Sequence, residues 1–257
     1  MGKNNAKKMI DLAVVIPTLN EEHFIGRLLD SITRQTVAPK EIVVVDAQSQ
    51  DKTIEEIKKR QLVLKSLKFF QIPRKTISVQ RNLGAGKTSA SHMLFLDADM
   101  ELRGADVLEK YFNEVLIRKP DIAVAKTPPD SNFWKDKIYF MVEDLLIRLL
   151  RHIWPVITAR NLYIRRDVFE KVGGFDETVA VGEDQELAHR VIKRGGRLMF
   201  LKSVQLHTSV RRVAQEGRTK YSARMVLFGL SILLLGRKRS KVRYEFGNFK
   251  KSAGPSD

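Results

Sequence analysis

The apolar run Met93-Leu94-Phe95-Leu96 leads straight into Asp97-Ala98-Asp99. Four apolar residues in a row fit a strand buried on both faces. A strand that ends in two carboxylates one residue apart sets both at its carboxyl edge, where open α/β sheets bind ligands. Like charges so close repel unless a cation stands beside them, so the pair points to a divalent metal. Mg²⁺ and Mn²⁺ take oxygen ligands and leave positions for substrate phosphates. A diphosphate carried on a metal is the first chemistry this suggests. A solvated acidic turn is the plain alternative, and the rest of the chain has to decide.

The elements that would position these acids are legible as far as about residue 125. Leu12 to Ile16 reads as a buried strand ended by Pro17, followed by a helix capped at Asn20 and reaching Thr33, with Glu21 and Glu22 in its first turn. Ile42 to Val45 is a second strand, ending at Asp46. Ser49 or Asp51 caps a helix over Thr53 to Leu64. Leu67 to Ile72, Met93 to Leu96 and Ile122 to Ala125 are further strands, and Thr76 to Ser89 and Gly104 to Arg118 are helices. This alternation predicts an α/β fold with a mostly parallel sheet flanked by helices.

After Pro128-Pro129 the pattern changes. A long helix is expected over Phe133 to Trp154, a strand over Thr158 to Ile164 and a short helix over Val168 to Val172. A helix over Glu183 to Arg194 closes at Gly195-Gly196, and short strands follow over Leu198 to Leu201 and Val204 to Leu206.

Three strand ends now carry polar residues suited to one ligand: Pro17-Thr18-Leu19-Asn20-Glu21-Glu22, Asp46-Ala47-Gln48-Ser49-Gln50-Asp51-Lys52-Thr53, and Asp97-Ala98-Asp99. One such loop is ordinary. Three at successive carboxyl edges would line a single crevice.

Together these segments resemble the family-2 inverting glycosyltransferases of GT-A fold. VVIPTLNEE is similar to their opening strand and loop, IVVVDAQSQDKT to their nucleotide-base segment, and RNLGAGKTSASHMLFLDADM to their helix and D-x-D segment. ARNLYIRRDVFEKVGGFDE and VGEDQELAHRVIKRGGRLMFL extend the likeness, which covers about Leu12 to Arg212. The chain departs from the family at Ala47 and Gln48, where a second acid and Gly are usual.

The resemblance implies roles residue by residue. Pro17, Asn20 and Glu21 would border the nucleotide, and Asp46 would accept from the base. A carboxylate is a pure acceptor and suits a uracil or thymine imide N–H; the other reading of Asp46 is a residue that orders its own loop. Arg81 would face the diphosphate; the other reading is a plain surface arginine. Asp97 would touch ribose or metal, Asp99 would ligate Mn²⁺ or Mg²⁺, and His207 would be a third protein ligand. Asp184, with Glu183 second, would deprotonate the attacking hydroxyl. Acids at a helix N-terminus are the alternative reading of that pair.

Composition narrows the setting. The chain has 257 residues, no cysteine and a formal charge of +16. Disulfides, zinc-thiolate sites and thiol nucleophiles are excluded, which fits a reducing compartment. From Arg190 onward 17 Lys and Arg stand against 3 acids, a balance that attracts phosphates, whether of nucleic acid, lipid or nucleotide. Met225 to Leu235 is apolar but shorter than the ~20 residues a span needs, and basic residues flank it, as in an interfacial helix on anionic lipid. No secretory signal is evident at Met1 to Met9.

The expected organisation is a GT-A domain over 1–212, with a nucleotide-binding half at 11–125 and an acceptor-binding half at 126–212. A basic, partly apolar helix and tail would occupy 213–257. The expected activity moves a sugar from a nucleoside-diphosphate sugar donor, UDP-linked by preference, to a lipid-linked or polysaccharide acceptor. The expected place is the cytoplasm, peripheral at the inner face of the cell membrane. A polyprenyl-phosphate sugar synthase is the alternative. A nucleic-acid-binding module is disfavoured, because the basic residues lack interleaved aromatics.

Overall fold

The computed structural model describes residues 7–73, 76–141, 157, 160–179 and 182–211. Sixteen short and long elements are built from them, beginning with β1 (Lys8–Thr18), α1 (Ile25–Thr33), β2 (Val37–Asp46), α2 (Thr53–Gln61) and β3 (Leu67–Gln71). Then come α3 (Ile77–Gly86), β4 (His92–Leu96), β5 (Met100–Glu101), α4 (Val107–Arg118) and β6 (Ile122–Lys126). Residues 134–141 are helical (α5). β7 (Asn161–Arg165), α6 (Arg166–Val172), α7 (Glu183–Lys193), β8 (Leu198–Gln205) and β9 (His207–Thr208) complete the described chain.

Seven strands form one sheet in the order β3-β2-β1-β4-β7-β6-β8. All neighbours are parallel except β7, which runs antiparallel to both β4 and β6. The apolar runs explain its central strands. Leu12, Val14 and Ile16 point to one face, with α1 and α4 packed over them, while Ala13 and Val15 point to the other, against α3, α6 and α7. Both faces are covered, so Leu12 through Ile16 and Ile42 through Val45 are fully buried.

Several expectations change. β1 does not stop at Pro17 but continues to Thr18, with Pro17 in register with Val45; a proline φ suits extended backbone. Asn20 is not a helix cap. It takes a left-handed φ of 57°, and α1 starts only at Ile25, because the Glu21 carbonyl accepts from the Phe24 and Ile25 amides and makes a turn first. α2 ends at Gln61 rather than Leu64. The two short strands expected after Arg194 are one strand, β8, with a register shift that accommodates Lys202, Ser203 and Val204. The antiparallel pair β5·β9 was not expected. The second half of the Phe133 to Trp154 helix, Thr158, and the 213–257 segment lie outside the described residues.

Candidate functional site

Because β1, β2, β4 and β6 run in parallel, their carboxyl ends share one edge of the sheet. β7 runs the other way and brings its first residue, Asn161, to the same edge. The two loops that leave β1 and β2 are laced together there. Ser49 Oγ accepts from the Asn20 amide at 2.8 Å, and Asn20 Oδ1 accepts from the Gln50 amide at 2.9 Å. Thr53 Oγ1 accepts from the Glu21 amide at 2.7 Å, Asp51 from the Glu22 amide at 3.1 Å, and Glu22 from the Lys52 amide at 2.9 Å. The left-handed backbone of Asn20 is what turns its side chain across to the second loop.

Asp46 sits beneath this lacing and is fully buried. Its Oδ1 accepts from the Ser49 amide at 2.9 Å, and its Oδ2 accepts from Thr18 Oγ1 at 3.0 Å and from the Ser49 hydroxyl. A buried carboxylate surrounded by three donors is a satisfied one. Gln80, fully buried, donates from Nε2 to the carbonyls of Thr18 at 2.8 Å and Val45 at 2.7 Å, and so ties the two strand ends from below.

The centre of the edge is a cation among acids. Arg81, on α3, is only 2% exposed. Its Nη2 donates to Asp97 Oδ1 and its Nη1 to Glu183 Oε1, both at 2.9 Å. Its guanidinium lies 5.3 Å from the centre of the Phe175 ring. One buried guanidinium thus joins the acid at the end of β4 to the acids at the start of α7. Burial opposes the Arg81 charge, but Asp97, Glu183 and Asp184 together raise its pKa. One cation does not neutralise three carboxylates. Burial first, and the Asp184 charge second, push the Glu183 carboxyl up to about 7 despite Arg81. Asp184 stands next to it, half-buried, with Oδ1 accepting from the Gln185 amide at 2.7 Å.

Asp97 and Asp99 are both half-buried at the end of β4. Among the described residues no three of His, Asp and Glu converge in a group that could hold a metal ion. Asp97 and Asp99 follow β4, and His207 opens β9. The β5·β9 register sets His207 opposite Glu101, and the Ser209 amide donates to the Asp99 carbonyl at 3.1 Å. Burial and the Arg103 charge lower the His207 pKa. The two carboxylates alone still suit Mg²⁺ or Mn²⁺, which bind through one or two carboxylates plus substrate phosphates.

Glu21 carries more than its position in the loop implied. It is 6% exposed, and both of its oxygens accept from Arg211 Nη2, at 2.7 and 2.9 Å. The Arg211 guanidinium covers the Phe24 ring at 4.6 Å. The structure accordingly brings Pro17, Asn20, Glu21, Asp46, Arg81, Asp97, Asp99, Glu183 and Asp184 to one sheet edge, and sets His207 on β9 opposite Glu101. Sequence reasoning missed Gln80 and the Glu21–Arg211 pair. A polar residue at a helix position facing two strand ends was the available signal for Gln80. No local signal marks a partner 190 residues away.

The sequence profile described as "Glycosyl transferase family 2" matches residues 13–173. Over 204 residues the chain is 26% identical to the O-antigen chain rhamnosyltransferase RfbN of Salmonella typhimurium, covering 74% of this chain and 63% of that one. It is 24% identical over 225 residues to the poly(ribitol-phosphate) beta-N-acetylglucosaminyltransferase TarS of Staphylococcus aureus, covering 83% and 38%. The chain therefore spans less than two thirds of either relative. Among solved structures, mannosyltransferase PcManGT from Pyrobaculum calidifontis, in complex with GDP-Man and Mn²⁺, superposes with a TM-score of 0.66 at 19% identity, covering 84% and 64%. S. aureus TarS 1-349 in complex with UDP gives 0.62 at 20%, covering 78% and 61%. These likenesses establish a shared fold.

Proposed function

The chain belongs to glycosyl transferase family 2, and from that premise we propose that it moves a sugar from a nucleoside-diphosphate donor, UDP-linked by preference, to a polysaccharide or lipid-linked acceptor. The observation that carries this reading is Arg81, which is buried and holds Asp97 and Glu183 on its two Nη atoms. Donor-side and acceptor-side acids are thereby set at a fixed spacing, which positioned catalysis requires.

The laced loops 18–22 and 46–53 receive the nucleoside, with Pro17, Asn20 and Glu21 at their border. Asp46 acts by ordering the second loop, so base selection falls to the loop it shapes. Asp97 and Asp99 hold Mn²⁺ or Mg²⁺. A bound metal supplies Lewis-acid stabilisation of the departing diphosphate. Asp184 takes the proton from the attacking hydroxyl on the face opposite the leaving group. Glu183 fixes Arg81 through the hydrogen bond from Nη1. The basic, apolar composition of 213–257 supports peripheral contact with the inner face of the cell membrane. No described helix is long and apolar enough to cross a membrane.

Calorimetry of UDP with and without Mn²⁺ tests the core of this proposal. Asp99→Ala is expected to lose the metal-dependent part of UDP affinity, tenfold or more, with its melting temperature unchanged. GDP in competition is expected to bind more weakly than UDP. Metal-dependent affinity retained in Asp99→Ala would overturn the assignment of Asp99.

A further inference from the structure

Beside the acid cluster, at the same edge of the sheet, lies a cavity of about 700 Å³ between the ends of β6 and β8 and the helical residues 134–141. It adjoins the cluster directly, because the Arg160 carbonyl in its wall accepts from the Asp97 amide at 2.9 Å. Four cations line it, Arg103, Lys126, Lys137 and Arg160, against a single carboxylate, Asp130. That carboxylate is already shared: it accepts from Arg27 at 2.7 Å and also pairs with Arg103. Lys126 and Lys137 are exposed and form no ion pair among the described residues. The Lys126 backbone is fixed nonetheless, since its carbonyl accepts from the Leu206 amide at 3.0 Å. Phe140, whose ring lies 4.9 Å from the Arg160 guanidinium, and Phe200 supply apolar wall.

A neutral sugar would leave this charge uncompensated. Lysine and arginine cations around a concave wall favour a doubly charged oxygen ligand, because charge-assisted hydrogen bonds are stronger than neutral ones. We propose that this cavity binds a phosphate ester carried by the acceptor, next to the group that receives the sugar. The word acceptor rests on the transferase reading given above; the phosphate site itself rests only on the cavity and its cations.

The test uses the full chain and glycerol 3-phosphate as probe, titrated by calorimetry. The expected result is saturable binding that weakens tenfold or more in Lys126→Gln/Lys137→Gln and not in Lys58→Gln/Lys65→Gln, two exposed lysines of the α2 side. Absence of binding to the unaltered protein, or an equal loss in both double variants, would overturn the proposal. UDP with Mn²⁺ is titrated separately. Binding of UDP without glycerol 3-phosphate removes the cavity proposal and leaves the transferase reading. The converse removes the transferase reading and leaves the phosphate site. Hexyl phosphate distinguishes the two sources of such an ester. Binding tenfold tighter than glycerol 3-phosphate, through contact with Phe140 and Phe200, supports a lipid carrier, and equal binding supports a phosphate-bearing polymer.

Discussion

At the scale of single residues, the chemistry of this site is set by one guanidinium shared among three acids. Glu183 has a side-chain exposure of 13% and a pKa raised to about 7 by burial and by Asp184. An acid raised in the folded state stabilises the fold while it is protonated. That contribution is complete below its unfolded value near 4.5 and is lost as pH rises toward 7. A shift of this size corresponds to about 3 kcal/mol. In metal-free buffer, Glu183→Gln is therefore expected to gain stability relative to the unaltered protein between pH 4.5 and 7. Denaturant melts at the two ends of that range check it, and a constant difference between the two proteins would show that Glu183 is ionised throughout. Asp184→Asn makes a different claim. It keeps shape and loses basicity, so transfer should fall by roughly 10²- to 10⁴-fold with UDP affinity nearly intact. Near-normal turnover would move the proton acceptor elsewhere. The acids themselves were legible in the sequence, because carboxylates after an apolar run have few structural reasons to be there. The burial of Arg81 was not. Arginine is rarely enclosed unless paired, and both of its partners lie on other elements.

At the scale of elements, the site depends on how closely α3 lies on the sheet. A Cβ added at Gly84 would stand 2.4 Å from Val15 Cγ1, and Val15 is fully buried. The glycine lets the helix carrying Gln80 and Arg81 approach β1 near the strand end it serves. Gly84→Ala should destabilise by about 1–3 kcal/mol through overpacking, and Val15→Ala in the same chain should recover part of that loss. Equal melting midpoints for Gly84→Ala and the unaltered chain would mean that the helix can withdraw without cost. The strands and helices of this first half were legible because doubly covered parallel strands read as unbroken apolar runs. What escaped was set by distant partners: the left-handed Asn20, whose side chain answers Gln50, and the two-residue pair β5·β9, too short to leave a pattern. The reversed direction of β7 was also invisible, since an apolar run carries no sign of its polarity.

At the scale of the whole molecule, the charge of +16 is distributed unevenly, and most of the visible ion pairs are exposed. Arg27 with Glu101 is one such pair, its arginine 46% exposed; pairs of that kind contribute about 0–1 kcal/mol and weaken in salt. Glu21 with Arg211 is different. The side chains are 8% and 10% exposed, and the pair fastens the loop after β1 to the far end of the described chain. Removing one partner of a buried pair leaves the other charge enclosed and costs about 3–5 kcal/mol, whereas replacing both can be nearly neutral. Arg211→Met should therefore lower the melting temperature sharply, and Glu21→Gln/Arg211→Met should recover most of it. Screening is weak for enclosed charges, so the loss in Arg211→Met should persist in 1 M NaCl, where the Debye length is ~3 Å. UDP affinity should follow the same order, because the Glu21 amide is one of the bonds that lace the two loops together. A melting loss that disappears in salt would place this pair with the exposed ones, and it would remove the tie between Arg211 and the loop after β1.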